Sequence, residues 1–269
     1  MDLGRLAQLV RASRSHREGH WFKSSNVHHL KPPNLCYNFP MCSRFVLKSP
    51  PKAIADLFHL EKAVDWKPRY NVAPSQKIPA VLRTLENKKR RIKLLQWGFV
   101  ASWTQGGRLI VNVRSEEIGE KPLFQESFEK WRCLIPVDGF YEWRHEAKET
   151  RPYFIQMKNR QPFALAGIWA SQKVEGETIE SCGLLTTTPN DVIRAVHDRM
   201  PVIVDPKDYG TWLDSEDIRD FKALHKLFNP YPAEKMEAYQ VGAWVNNVSH
   251  DDEQCVEASH EPETLSFNF

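Results

Sequence analysis

Through the middle of this chain the apolar side chains come in short runs, most of them of strand length. Cys42-Ser43-Arg44-Phe45-Val46-Leu47 has the two-residue alternation of a brief strand. "SPPKAIADLFHL" follows, with Ser49 placed as an N-cap, Pro50 and Pro51 in a first turn, and Ile54, Leu57, Phe58 and Leu60 on one apolar face, which predicts a helix. "KIPAVLRTL" and "RIKLLQWGFV" read as two strands joined by the polar turn "ENKKR", a hairpin pattern. "RCLIPVDGFYEW", "RPYFIQMK", "PFALAGIWAS" and "SCGLLTTTP" read as further strands. "TPNDVIRAVH" opens a helix with Thr188 as cap and Pro189 at its first position. "DPKDYGTWL" and "SEDIRDFKALHKLF" are helical, the second opened by Ser215. Strands in the middle and helices at the flanks predict an α+β fold: one domain with a curled, barrel-like mixed or antiparallel sheet.

The two ends lack this texture. Residues 1–40 have no sustained period and are rich in Arg, His, Ser and Asn. Three readings fit them: a tRNA-derived stretch in front of a true start at Met41, an organelle transit peptide, or a propeptide. The stretch from Asp251 to Phe269 is acidic, and a disordered tail is expected there. The expected division is therefore 1–40 as an extension, 41–250 as the folded domain and 251–269 as the tail.

Charge follows the same division. Residues 1–40 carry six Lys and Arg against two acids, a net +4, and residues 251–269 carry six acids and no Lys or Arg, a net −6. The whole chain is +3, so the central domain is +5, a balance that permits a nucleic-acid partner without demanding one. At 269 residues, 41% hydrophobic and 26% charged, the composition is that of a globular protein able to bury a sizeable core. No apolar run reaches bilayer-spanning length, so no membrane partner is expected. The five cysteines, Cys36, Cys42, Cys133, Cys182 and Cys255, are odd in number, widely spaced and without a C-x-x-C pair. That argues against a disulfide framework or a zinc site and for a reducing compartment; no metal and no cofactor are expected.

Five patches hold more functional side chains than a plain core requires: Met41-Cys42-Ser43-Arg44-Phe45; Arg69-Tyr70-Asn71-Val72-Ala73-Pro74; "QWGFVASW" with "VNVRSEE"; "PVDGFYEWR" around Glu142; and "AVHDRMP" around His197. Each has an ordinary explanation. A lone cysteine is usually a small buried hydrophobe, Asn71 could organise a turn, Glu142 could sit exposed on an edge strand, and His197 could meet a helix C-terminus. Trp97, Trp103, Tyr141 and Trp143 could all be core.

Together, in this order, the patches resemble the SOS response-associated peptidase family. Its pattern is Met-Cys-Gly-Arg-Phe, R-Y-N-x-A-P, W-G-x-x-P-x-W, N-A-R-x-E, G-F-Y-E-W and H-x-R-M-P; here these stand as "MCSRF", "RYNVAP", "WGFVASW", "NVRSE", "GFYEW" and "HDRMP", and "WVNNVSHDDEQC" resembles the closing V-N-N segment. Ser43, Ala101 and Val113 depart from the pattern, and none removes a catalytic group.

The resemblance implies that Cys42 works as the first residue of the mature chain. It would then crosslink through its amine and thiol, as a thiazolidine, to abasic sites in single-stranded DNA, without a cofactor. It also implies Glu142 as acid and base, His197 as the group that opens the sugar ring, and Asn71 as the residue that orients Cys42 or the lesion. Arg44, Arg114, Trp103 and Trp97 are assigned to the DNA, the arginines to phosphates and Trp103 to a stacked base. Tyr141 and Trp143 are expected to raise the pKa of Glu142 by desolvation. Peptidase activity on the chain's own leading residues is implied as well. A monomer is expected, cytoplasmic and, if bacterial, nucleoid-associated. Two alternatives stay open: a cysteine-dependent peptidase or amidase acting in trans through Cys42, His197 and Glu142, and a non-catalytic nucleic-acid-binding module.

Overall fold

A computed structural model of the chain describes residues 42–62, 64–84, 89–100, 109–146, 149–174, 176–214 and 221–259. Residues 1–41, Trp103, Ser215 and residues 260–269 lie outside that set. β1 (Arg44–Leu47) leads into α1 (Pro51–Phe58). Next come β2 (Arg69–Val72), β3 (Lys77–Arg83), β4 (Arg90–Trp97), β5 (Asn112–Arg114) and α2 (Pro122–Lys130). β6 (Arg132–Val137), β7 (Gly139–His145), β8 (Thr150–Met157), β9 (Phe163–Val174) and β10 (Glu177–Thr187) form the main run of strands. α3 (Asp191–Arg194), β11 (Met200–Pro201), β12 (Ile203–Val204), α4 (Tyr209–Leu213), α5 (Phe221–Lys226) and β13 (Met236–Gln240) complete the order, with 3-10 turns at Ala243–Asn246 and Glu253–Val256.

The predicted hairpin is β3 with β4, antiparallel and in register from Lys77 opposite Gln96 to Arg83 opposite Arg90. β3 pairs with β6, β6 with β9, β9 with β10, and β10 returns to β4. These five strands close into a ring. The β4–β10 contact is parallel and the other four are antiparallel, so the sheet is mixed and curled, in line with the sequence pattern. Closure requires small residues where strands crowd: a Cβ on Gly167 of β9 would lie 2.9 Å from Cys133 Sγ and 3.1 Å from the Gly183 carbonyl. Both faces of these strands are covered: Val81, Leu134 and Ile168 on one, and Ile135, Leu165 and Leu184 on the other, are all essentially inaccessible. Burying one such side chain contributes about 1.5–3 kcal/mol. Helices dock outside through single apolar faces, α1 with Ile54 and Phe58, α2 with Phe124 and Phe128.

A second sheet, in the order β13-β8-β7-β1-β2, is antiparallel throughout. Period-two alternation divides its side chains between two faces. Phe45, Phe140 and Ile155 join the barrel core, while Val46, Tyr141, Trp143 and Phe154 pack under Val241, Val245 and Cys255 of the C-terminal segment.

Several expectations are corrected. "RCLIPVDGFYEW" is two strands, broken at Asp138, whose buried carboxylate accepts from Lys48 N (2.6 Å), Ser49 N (2.8 Å) and Ser49 Oγ (2.5 Å). Ser49 is therefore tied to Asp138 rather than capping α1, whose N-cap position is Pro50. The cap of α3 is Asn190, whose side chain accepts from Ile193 N at 3.1 Å, not Thr188. The acidic segment is ordered at least to Ser259. Asp251 accepts from Tyr70 N (2.6 Å) and Asn71 N (2.8 Å), Cys255 is fully buried, and Ser259 N donates to Gln240 O at 2.9 Å. Its acids look outward in composition, but Asp251 caps the open edge of β2, and unpaired edge amides are costly to leave without acceptors.

Candidate active site

β1 and β7 bring the first and fourth motifs together. Arg44 lies opposite Tyr141 in the antiparallel register, which sets Cys42, just before β1, beside the middle of β7. Cys42 is buried, and its backbone N–H donates to Glu142 Oε1 at 2.7 Å. That nitrogen is here a peptide nitrogen; in a chain beginning at Cys42 the same position would hold the α-amine. The residue has φ +48°, a left-handed conformation that costs a non-glycine residue about 1 kcal/mol and turns the chain sharply into β1. The neighbouring strand is held close: a Cβ on Gly139 would lie 2.3 Å from Phe154 Cζ and 2.7 Å from the Ile155 carbonyl.

Burial dominates the electrostatics of this pair. It pushes the Cys42 thiol well above its usual range, reinforced by the charge of Glu142 and the thiol's hydrogen bond to it. Glu142 is itself raised to about 8 by burial; the Cys42 N–H and thiol oppose the rise, and the charge of Asp198 adds to it. Near neutral pH it is thus mainly the protonated acid. Tyr141 and Trp143 do not face the carboxyl. Strand alternation turns them to the opposite face, where they pack against the C-terminal segment, and Glu142 faces the barrel side with Phe140.

His197 follows α3, its N–H donating to Ile193 O at 2.7 Å. Its ring is mostly buried, with Nδ1 3.2 Å from Arg199 N and 3.0 Å from Asp198 Oδ1. Burial lowers its pKa, Asp198 raises it, and His145 at the end of β7 lowers it. Asp198 thus acts on both Glu142 and His197, which links the fourth and fifth motifs electrostatically.

Asn71 and Arg44 serve the scaffold. Asn71 is fully buried, and its Nδ2 donates to the carbonyls of Val245 (3.0 Å), Asn247 (3.1 Å) and His250 (2.8 Å). Its Oδ1 accepts from Arg44 Nη1 at 2.9 Å, and Arg44 also donates to Val245 O at 3.1 Å, with its guanidinium 5.8 Å from the Trp143 ring centre. The expected phosphate contact of Arg44 is therefore corrected: it is 5% exposed and braces the C-terminal segment. Asn71 likewise orients that segment and Arg44. Trp97 is corrected too. It is fully buried against Phe45, ring centres 5.0 Å apart, with its indole N–H donating to Val111 O. Arg114 is exposed at the end of β5, where a phosphate can reach it. Trp103 lies outside the described residues.

Two participants were missed by sequence reasoning. Asp198 hides at the variable position of H-x-R-M-P. Arg199 grips Glu116 with two hydrogen bonds (2.5 and 2.8 Å) and donates to Thr186 O at 2.7 Å, tying the third motif to the fifth. Their presence inside those motifs was the available signal. Among the described residues no cluster of His, Cys, Asp and Glu is arranged to hold a metal, and no helix is long and apolar enough to cross a membrane.

A closed mixed barrel with a flanking antiparallel sheet, carrying a buried cysteine whose backbone nitrogen meets a buried carboxyl, defines a small α+β class. Residues 41–248 match the family described as SOS response associated peptidase (SRAP), and the chain belongs to that family. Among its relatives is the abasic site processing protein YoqW of Bacillus subtilis, 34% identical over 226 residues that span 81% of this chain and 100% of the relative. The abasic site processing protein YedK of Escherichia coli is 24% identical, spanning 81% and 99%, and HMCES of Xenopus tropicalis, likewise named an abasic site processing protein, is 27% identical, spanning 72% and 67%. A crystal structure of a protein from Bacteroides thetaiotaomicron shares the fold at a TM-score of 0.72 and 23% identity, over 81% of this chain and 100% of that one.

Proposed function

We propose that this protein processes abasic sites in DNA by crosslinking to them through Cys42, once Cys42 is the first residue of the chain. The observation that carries the reading is the 2.7 Å contact between Cys42 N and the buried Glu142 carboxyl. The names of its relatives supply the substrate class.

The same contact serves two steps. While residue 41 is attached, Cys42 N is the leaving nitrogen of the peptide bond to be hydrolysed. Glu142, held protonated by burial, is within reach to give that nitrogen a proton as water adds to the Met41 carbonyl carbon and the C–N bond breaks, and the proton lost by the added water returns to the Glu142 carboxylate. Hydrolysis leaves a free amine beside the thiol. The amine adds to the aldehyde carbon of the opened abasic sugar, and water leaves, with its proton drawn from Glu142, to give an iminium ion. The Cys42 sulfur then adds to that carbon and closes the five-membered thiazolidine, and the thiol proton passes to the Glu142 carboxylate. One water is released overall. His197 moves the proton during sugar ring opening, and Arg114 and Trp103 hold the single strand.

Mass spectrometry of the chain beginning at Cys42, incubated with an abasic single-stranded oligonucleotide, tests the reading. The expected product has the summed mass less one water and is absent with Cys42→Ala. An unmodified protein after incubation, with a verified Cys42 terminus, would sink the proposal. A peptidase acting in trans is disfavoured: burial holds the thiol protonated, and the partner of Cys42 is Glu142 rather than a histidine base.

A further inference from the structure

Nδ1 of His197 faces two groups with opposite demands. Arg199 N, at 3.2 Å, is a donor and needs a lone pair; the Asp198 carboxylate, whose Oδ1 is at 3.0 Å, is an acceptor and needs a proton. A ring nitrogen can satisfy only one of them at a time. When Nδ1 accepts from Arg199 N, the neutral ring carries its proton on Nε2, and Nε2 can only donate. When Nδ1–H donates to Asp198, the neutral ring has a lone pair on Nε2, and Nε2 can accept.

We propose that Asp198 is a positioning residue for His197. Its carboxylate holds the Nδ1–H form, so that Nε2 can take up and return the proton moved when the abasic sugar opens. The inference rests on the role given to His197 above. In that step Nε2 takes the proton of the C1′ hydroxyl. The freed electron pair forms the C1′ carbonyl, the C1′–O4′ bond breaks, and O4′ recovers the proton from Nε2. The imidazolium that exists in between is paired with Asp198. No proton is gained or lost overall.

The surroundings fit a tuning role rather than a structural one. The Asp198 side chain is 89% exposed, while the His197 side chain is 18% exposed. The charged and titratable groups bearing on the ring are Asp198 from its own turn and His145 from the end of β7, acting in opposite senses, with burial also disfavouring the cation. Asp198 is thus the group that offsets the desolvation of the imidazolium. Glu142, on β7, senses the same carboxylate. The arrangement parallels the way a carboxylate fixes the tautomer of a catalytic histidine in a hydrolase triad, but with the carboxylate next in sequence and open to solvent.

The test compares the chain beginning at Cys42 with its Asp198→Asn and Asp198→Glu variants. The His197 ring nitrogens are read by 15N NMR as a function of pH, and adduct formation is timed in parallel. Asp198→Asn is expected to shift the neutral ring towards Nε2–H and to lower the His197 pKa. It is also expected to slow adduct formation at neutral pH about twofold to fivefold, the scale of an exposed ion pair, without changing the melting temperature. Asp198→Glu is expected to restore the tautomer and the rate together. An unchanged tautomer balance and pKa in Asp198→Asn would overturn the proposal, as would a shifted tautomer with an unchanged rate. A shifted tautomer in a protein of which no form makes an adduct would leave the histidine–carboxylate arrangement standing and remove the abasic-site reading instead.

Discussion

Replacing Glu142 by Gln separates the electrostatic cost of the site from its packing. Gln keeps the shape and the oxygen that accepts from Cys42 N, but it cannot ionise. In the chain with residue 41 attached, Glu142 titrates near 8 in the fold against about 4.5 for an ordinary glutamate. Between those two values the native state holds one proton more than the unfolded state. Stability therefore falls as pH rises through that window and levels off above it. With 1.36 kcal/mol for each pH unit between the two values, the ceiling is about 5 kcal/mol. Urea unfolding of the wild type and Glu142→Gln at pH 5, 6.5, 8 and 9 reads it directly. The two are expected to differ least at pH 5, and the advantage of Gln is expected to grow to pH 8 and then stay constant. A difference that is flat from pH 5 to pH 9 would refute the reasoning, because it would mean that Glu142 ionises in the fold as it does in water. Removing residue 41 supplies an internal control. A free ammonium at Cys42 favours the carboxylate, so the pH dependence of the wild type should shrink in the chain beginning at Cys42.

Asn71→Ala leaves three carbonyls and Arg44 without their buried amide partner, and a loss of about 2–4 kcal/mol is expected in chemical denaturation, with the C-terminal segment exchanging its amide hydrogens first. Gly139→Ala drives a methyl group into Phe154 and the Ile155 carbonyl, and a loss of about 1–3 kcal/mol is expected in the same assay. Arg114→Ala should leave the melting temperature unchanged, weaken binding to single-stranded oligonucleotides of any sequence, and reduce the salt slope of binding by about 0.7, as measured by fluorescence anisotropy. Trp97→Ala should destabilise the fold by about 3–5 kcal/mol, seen as a lower urea midpoint.

The candidate site was legible because its motifs are local: Cys42, Glu142 and His197 each sit in a run of side chains that no plain strand or helix needs. Buried neighbours were not legible. Arg44 reads as a phosphate ligand because arginine is usually exposed, but here Asn71 and Val245, 27 and 201 residues away, accept from it. Trp97 reads as a stacking platform, but closure of the barrel puts it inside. Ser49 has the look of an N-cap until Asp138, 89 residues on, takes its hydroxyl.

By itself the sequence determined β1, α1, the β3–β4 hairpin and most of the long strands, since strand period, hairpin turns and apolar runs are properties of neighbouring residues; β2, β5, α2 and β13 were not legible in it. It also determined the family. Tertiary structure decided how the side chains of the candidate site behave. Only the antiparallel pairing of β1 with β7 brings the Cys42 nitrogen to Glu142, and only burial on the barrel side keeps that carboxyl protonated near neutral pH. The acidic segment shows the same division. Its composition predicts a solvated tail, and it is the unpaired edge of β2 that draws Asp251 into place. A desolvation free energy or an open strand edge depends on residues far apart in the chain, and no local pattern encodes it.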